Sequence, residues 1–224
     1  MAMLGLAEGS GVTQALAGVL AAVMTVLGYA VWSDPFPSVL TAPNAQRAIE
    51  RLEMPESSAL MVNDAAVLFA LYGDFDAARR ELDRVNWVER HPFERVAEVS
   101  TRALIELVSG GDVGRARNFI RRAEQLAIQS EANHALRDRT QIVTLKSAAE
   151  LFMEPANLAA LELLRMCTSS KSARAQLFSQ WALGVHFWRE EEREQAAHHF
   201  AICKDLAPYC LVLHGPPERR VKPG

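Results

Sequence analysis

The stretch Leu177–Cys210 constrains the fold more than any other, because its apolar residues recur at helical spacing twice and the two runs meet at a short charged turn. In the first run Leu183, Gly184 and Phe187 share one face of a 3.6-residue helix, and the small Gly184 leaves room for a neighbouring helix to approach. In the second, Ala196, Phe200 and Cys203 form a matching stripe, and Pro208 ends the run because it has no amide proton to continue a helix. This pattern predicts a helical hairpin. Its apolar stripe is too small to form a core alone.

The same pattern recurs. In Ala59–Trp87 the turn Gly73-Asp74 joins a helix carrying Ala66 and Phe69 to one carrying Phe75, Ala78, Leu82 and Val85. Aligning on that turn places a second unit at Ala97–Ser130, with Leu107, Gly111-Asp112, Val113, Ala116, Ile120 and Ala123 in equivalent places. A third falls at Gln141–Arg174, where Ala148, Leu151, Ala160, Leu164 and Cys167 fit and Pro155 replaces the turn glycine. No strand-length run alternates apolar and polar residues, so the chain reads as all-α.

The order Leu-Gly, aromatic, then Ala, Phe, small residue and Pro resembles the tetratricopeptide repeat, a helix-turn-helix unit of about 34 residues. The Gly-Asp-aromatic turn near residue 73 resembles it too. The resemblance implies an α-solenoid of about four hairpins over residues 59–210. The starts near 59, 97, 141 and 177 are spaced more widely than the family's repeat. It also implies that the first helix of each hairpin lines a concave groove. Carried onto this chain, the groove positions are mostly apolar, with Phe152, Phe178, Trp181, Val185, Trp188 and Arg189 clustered towards one end as the candidate partner-binding residues. Aromatic anchors of this kind suit an amphipathic helix or hydrophobic segment of a protein partner. Members that clamp a peptide carboxylate do so with basic and amide groups; here only Asn63 and Arg189 qualify, so that activity is not implied. An equally physical alternative is that the groove is filled from within, by the Ala45–Glu53 helix, by the apolar run Leu211–Leu213 or by longer packing of the helices on each other.

A second feature lies upstream. Ala15–Trp32 runs for 18 residues without a charge, and Gly11–Trp32 for 22. About 20 residues at 1.5 Å each cross a hydrocarbon core of roughly 30 Å, so a single transmembrane helix is expected. Tyr29 and Trp32 stand at its downstream edge and Asp34-Pro35 end it. A cleavable signal is the nearest competitor, but no Lys or Arg precedes the run. A buried core helix is the other, but no polar face can be drawn on it. The expected organisation is a terminus at 1–14, a span at 15–32, a Pro-rich linker with a short helix at 33–58, the repeats at 59–210 and a tail at 211–224. Arg47 and Arg51 downstream favour a cytoplasmic repeat domain. Gly18 and Ala22, four residues apart, would allow helix contact and a homo-oligomer.

Composition narrows the function classes. The net charge is −3, from 24 basic and 27 acidic side chains without a long single-sign block, which disfavours nucleic acid as a partner. Three cysteines, Cys167, Cys203 and Cys210, form no CxxC pair and read as small buried hydrophobes. No phosphate loop, dinucleotide fingerprint or nucleophile elbow is present. His199 and Cys203 lie one helical turn apart beside His198, but nothing supplies further ligands at metal-site spacing, so no metal and no cofactor is expected. The resulting expectation is a membrane-anchored, non-enzymatic scaffold or adaptor that holds a protein partner. The alternative is a structural subunit of a membrane complex with no exchangeable ligand.

Overall fold

The computed structural model describes residues 36–52, 58–129 and 135–217. These residues form α-helices, with single 3-10 turns at Trp87–Glu89 and Leu211–Leu213, and no strand occurs among them. Two short helices come first, α1 (Phe36–Val39) and α2 (Ala45–Glu50). Four antiparallel hairpins follow: α3 (Ala59–Leu71) with α4 (Phe75–Asp83), α5 (Pro92–Val108) with α6 (Val113–Gln129), α7 (Ala135–Met153) with α8 (Leu158–Cys167), and α9 (Ala173–Arg189) with α10 (Arg193–Leu206).

The expected spacing of apolar residues is what packs these helices. Ala66, Ala78 and Leu82 of the first hairpin, Ala116, Ile120 and Ala123 of the second, Ala148, Leu151, Ala160 and Leu164 of the third, and Leu183, Ala196 and Cys203 of the fourth are all buried. Gly184 lies against the Phe200 ring so closely that a Cβ there would sit 2.7 Å from Cε1. The helices begin earlier than the turn alignment placed them, at Pro92, Ala135 and Ala173.

Three of the four hairpin turns share one device. After α3, the Gly73 amide donates to the Ala70 carbonyl and the Asp74 amide to the Phe69 carbonyl, at 3.1 and 2.9 Å. After α5, Gly110 and Gly111 repeat this with Leu107 and Glu106; after α9, Glu191 and Glu192 repeat it with Trp188 and Phe187. Each pair satisfies carbonyls that a helix end leaves unbonded, and each requires a left-handed residue, here Gly73 at φ 90°, Gly110 at φ 72° and Glu191 at φ 63°. The capping glycine of the second turn is therefore Gly110, one residue before the one the alignment chose. The third turn departs from the pattern because Pro155, with φ fixed negative, cannot adopt that conformation. Asp74, Asp112 and Asn157 then cap the outgoing helices, each accepting an amide bond with its side chain.

Between hairpins, α3, α5, α7 and α9 contact one another in a row, while α4, α6 and α8 each pack on the first helix of the next hairpin. A smaller apolar cluster, with Ala59, Ala70, Leu82 and Ile105 around Trp87, joins α3, α4 and α5. The Trp87 indole N–H donates to the Leu82 carbonyl at 2.6 Å.

The expectation of an all-α fold preceded by a single transmembrane helix is corrected in its second part. No helix among the described residues is long and apolar enough to cross a membrane. Even the longest, α7 with 19 residues, carries Arg137, Asp138, Arg139, Lys146 and Glu150. Ala15–Trp32, on which the expectation rested, lies outside the described residues. The assignments of a membrane contact, a single-pass localisation and a cytoplasmic repeat domain are withdrawn.

Glu191 carries a Cβ in a conformation that costs a non-glycine residue about 1–2 kcal/mol. Glu191→Gly relieves that cost, offset by about 0.4–1 kcal/mol of added unfolded-chain entropy. We expect a net stabilisation of about 0.5–1 kcal/mol, read as a rise of about 1–4 °C in melting temperature, whereas Gly73→Ala and Gly110→Ala lower it.

Candidate functional site

The candidate partner-binding residues lie on α7 and α9, the first helices of the third and fourth hairpins. Trp181 and Val185 are completely buried and Phe178 is 6% exposed; Phe152 and Trp188 are half-buried, and Arg189 is exposed. The structure brings three of the rings together. Trp181 meets Phe152 edge-on with centroids 5.8 Å apart and Phe178 at 5.1 Å with a 32° tilt. Arg189 lies over Phe152, its guanidinium 4.9 Å from the ring centroid, and donates to the Phe152 carbonyl at 3.3 Å. Trp188 sits two turns along the same helix face under Arg193, which stacks at 3.7 Å and donates to the Trp188 carbonyl at 2.9 Å.

What covers this cluster is the chain itself. Beyond α10, Ala207, Cys210 and Leu213 are each 0% exposed and join the main core. The Gly215 carbonyl accepts the Trp181 indole N–H at 3.3 Å. The same segment reaches the first two hairpins at their turns: a Cβ on Gly73 would meet Val212 at 2.7 Å, and one on Gly110 would meet Pro217 at 3.1 Å. On the other side Phe36, Val39, Leu40, Ala42, Ala48 and Leu52 are buried in the same core, and the Tyr72 hydroxyl donates to the Ala42 carbonyl at 2.6 Å. Of the two readings of the groove, the geometry supports filling from within. The packed unit therefore extends beyond residues 59–210 at both ends.

The remaining space is slight. A cavity of about 20 Å³, room for about one water, lies where α3, α5, α7 and α9 converge, lined by Val67, Leu71, Leu104, Thr144, Leu145 and Phe178 among others. At its edge Arg174 of α9 pairs with Asp64 of α3 at 2.8 Å, their side chains 11% and 16% exposed, and its guanidinium lies 3.6 Å from the centroid of the Phe36 ring. Asn63, the other polar groove candidate, is 3% exposed, and its side-chain oxygen accepts no hydrogen bond. Arg174, Asp64 and Phe36 were not among the expected groove residues. The available signal was that Arg174 is the sole Lys, Arg, Asp or Glu between Ala173 and Trp188.

Burial favours the neutral forms of one histidine, two cysteines and a tyrosine in this part of the fold. Desolvation lowers the His199 pKa to about 4, helped by His198 and Arg165; its ring stacks on Phe187 at 5.5 Å and hydrogen-bonds Gln180 at 2.6 Å. Burial also pushes the Cys203 thiol well up, and that thiol donates to the Leu177 carbonyl at 3.7 Å. Burial pushes Cys210 and Tyr72 up to about 12. Among the described residues no three His, Cys, Asp or Glu side chains converge to hold a metal ion. No protein-family model matches the chain, and comparison with curated proteins and with solved structures gives no significant match.

Two outcomes follow from this packing. Trp181→Ala removes a wholly enclosed ring and is expected to cost about 3–5 kcal/mol in urea denaturation, with Trp188→Ala costing less. His199, neutral when folded and protonated more readily when unfolded, adds stability above its unfolded value near 6.5 that is lost as pH falls towards its folded value of about 4. Urea midpoints measured from pH 7 down to pH 4 are expected to fall for the parent chain and to fall less for His199→Gln.

Proposed function

We propose that the protein is a non-catalytic helical-repeat scaffold of the tetratricopeptide kind, an α-solenoid that engages protein partners on the outer helices of its hairpins. Three features support the repeat reading: a common turn cap, stripes of small and apolar residues at equivalent positions, and first helices that contact one another in a row. The partner surface differs from the aromatic groove named by the resemblance, because Trp181, Phe178 and Val185 serve the core.

The observation that carries this reading is α8. With the interior closed, this helix still presents Leu158 at 75%, Leu163 at 42% and Met166 at 67% exposure. At 100° per residue, positions 158, 159, 162, 163 and 166 fall within one arc, which joins these three to Ala159 and Glu162. Isolated exposed leucines are ordinary, but three large apolar side chains on one arc, beside Glu162 and Arg165 that pair with each other at 3.7 Å, favour a contact surface.

The test is site-specific photo-cross-linking in cells. A benzophenone side chain at Leu158 or Met166 is expected to give a discrete protein adduct that one at exposed Ala201 does not. Leu158→Glu with Met166→Glu is expected to abolish partner capture without lowering the melting temperature. Adducts confined to Phe152 and Trp188 would instead place the partner in the groove and overturn the reading.

A further inference from the structure

The outer helix of the second hairpin differs in character from α8. Asn118, Arg121, Arg122, Gln125 and Gln129 of α6 follow at intervals of three, one, three and four residues and share one exposed face. With Arg95 from the first turn of α5 and the buried Leu126 as floor, they line a surface recess of about 420 Å³. Among the described residues, the recess thus has three guanidiniums and three carboxamides around it, and no carboxylate.

The carboxylates close by in sequence are engaged elsewhere. Glu94 accepts the His91 amide at 3.1 Å, Glu98 accepts from Arg102, and Glu124, on another side of α6, pairs with Lys146 at 2.8 Å. Several arginines of other helices, Arg47, Arg79, Arg84 and Arg165, each pair with an acid three residues away, and Arg189 and Arg193 instead lie over aromatic rings. Among the described residues, Arg95, Arg121 and Arg122 have no such acid at ion-pair distance.

We infer that this face of α6, with Arg95, binds an acidic segment of a protein partner through its carboxylates. Guanidinium forks match carboxylates in bidentate geometry, and such charge-assisted hydrogen bonds are stronger than neutral ones. Asn118, Gln125 and Gln129 each offer both a donor and an acceptor, the complement of a peptide backbone. Ile128, 85% exposed and on the same side of the helix as Gln125, adds an apolar contact for a partner that alternates acidic and apolar residues. Nucleic acid fits less well. The recess lacks an aromatic ring on which a base would stack, and the chain as a whole carries −3. A lipid surface would require more than the one exposed apolar side chain beside the recess.

The inference depends on the scaffold reading for its role but uses a different helix, so the two fail separately. The test is fluorescence anisotropy with a labelled peptide of alternating Glu and Leu character, its Gln-for-Glu counterpart, an oligothymidylate, and vesicles containing phosphatidylserine. The acidic peptide is expected to bind and to weaken as salt rises, and the Gln counterpart is expected to bind at least about tenfold more weakly. Arg121→Glu with Arg122→Glu is expected to weaken the acidic peptide at least about tenfold, while Lys171→Glu with Lys204→Glu, the same charge change on other exposed surfaces, leaves it within about twofold. Far-UV circular dichroism and Arg95→Gln with Arg122→Gln guard against misfolding, and the Gln pair is expected to weaken binding by less than the Glu pair. Absence of binding by the acidic peptide, equal effects of the two Glu pairs, or tighter binding of the oligonucleotide or vesicles would each overturn the inference. The α8 cross-link would survive all three.

Discussion

The ion pair between Arg174 and Asp64 joins the two ends of the row of inner helices. Without it α3 and α9 belong to the first and fourth hairpins and are separated by more than a hundred residues of chain. With it, a charge that is nine-tenths covered is paired at 2.8 Å and stacked on a fully buried phenyl ring. Such a pair is weak evidence of net stability, since desolvating two charges costs several kcal/mol, but losing one partner leaves the other charge uncompensated. Its consequence is geometric. An arrangement in which α3 and α9 drift apart leaves Arg174 without Asp64 and uncovers Phe36, so the row is held closed and the space inside is set by what else the chain places there.

What the chain places there is its own two flanks. The apolar groove positions that suit a partner helix suit Leu213, Val212 and Phe36 equally well, because burial rewards apolar area without regard to which chain supplies it. A segment already tethered to α10 meets the groove at an effective concentration that a free partner must exceed. The hydrogen bond from Trp181 to the Gly215 carbonyl adds direction to that contact, and the close approach of Val212 to Gly73 and of Pro217 to Gly110 uses the glycines that the hairpin turns already require. The same two residues thus cap a helix on one side and admit the closing segment on the other.

Much of this was legible in sequence, and for a definite reason. Helical periodicity is a local signal, so Ala66, Ala78, Leu82, Ala116, Ile120, Ala160, Leu164, Ala196 and Cys203 could be assigned to the interior from spacing alone, and Gly184 to a close helix contact. Pro155 marked the third turn as different before its geometry was known. The occupant of the groove was not legible. Trp181 reads the same whether it anchors a partner or a core, since large aromatic rings dominate both. The contacts that decide between these, Phe36 with Arg174 and Trp181 with Gly215, join residues whose sequence neighbours carry no trace of one another. The hydropathy of Ala15–Trp32 is a local signal as well, yet it says nothing about Phe36 onward, where every helix is mixed in polarity or short.

Closure of the interior also limits what the inner surface can hold. With Cys203, Cys210 and His199 held neutral by burial, and a cavity of about one water, the inner surface offers little to a ligand. The second helices are free to diverge because only one face of each is committed to packing. In α6 the committed positions are Ala116, Ile120, Ala123 and Leu126, one residue per turn, leaving the opposite face open to arginine and carboxamide side chains. In α8 the committed positions are Ala160, Leu164 and Cys167, and the open face took Leu158, Leu163 and Met166 instead. Two outer helices with the same inner register therefore differ where the fold does not constrain them, one polar and cationic, the other carrying large apolar side chains. That difference has no account in the packing of either hairpin, and it is the difference on which the two proposed contact surfaces rest.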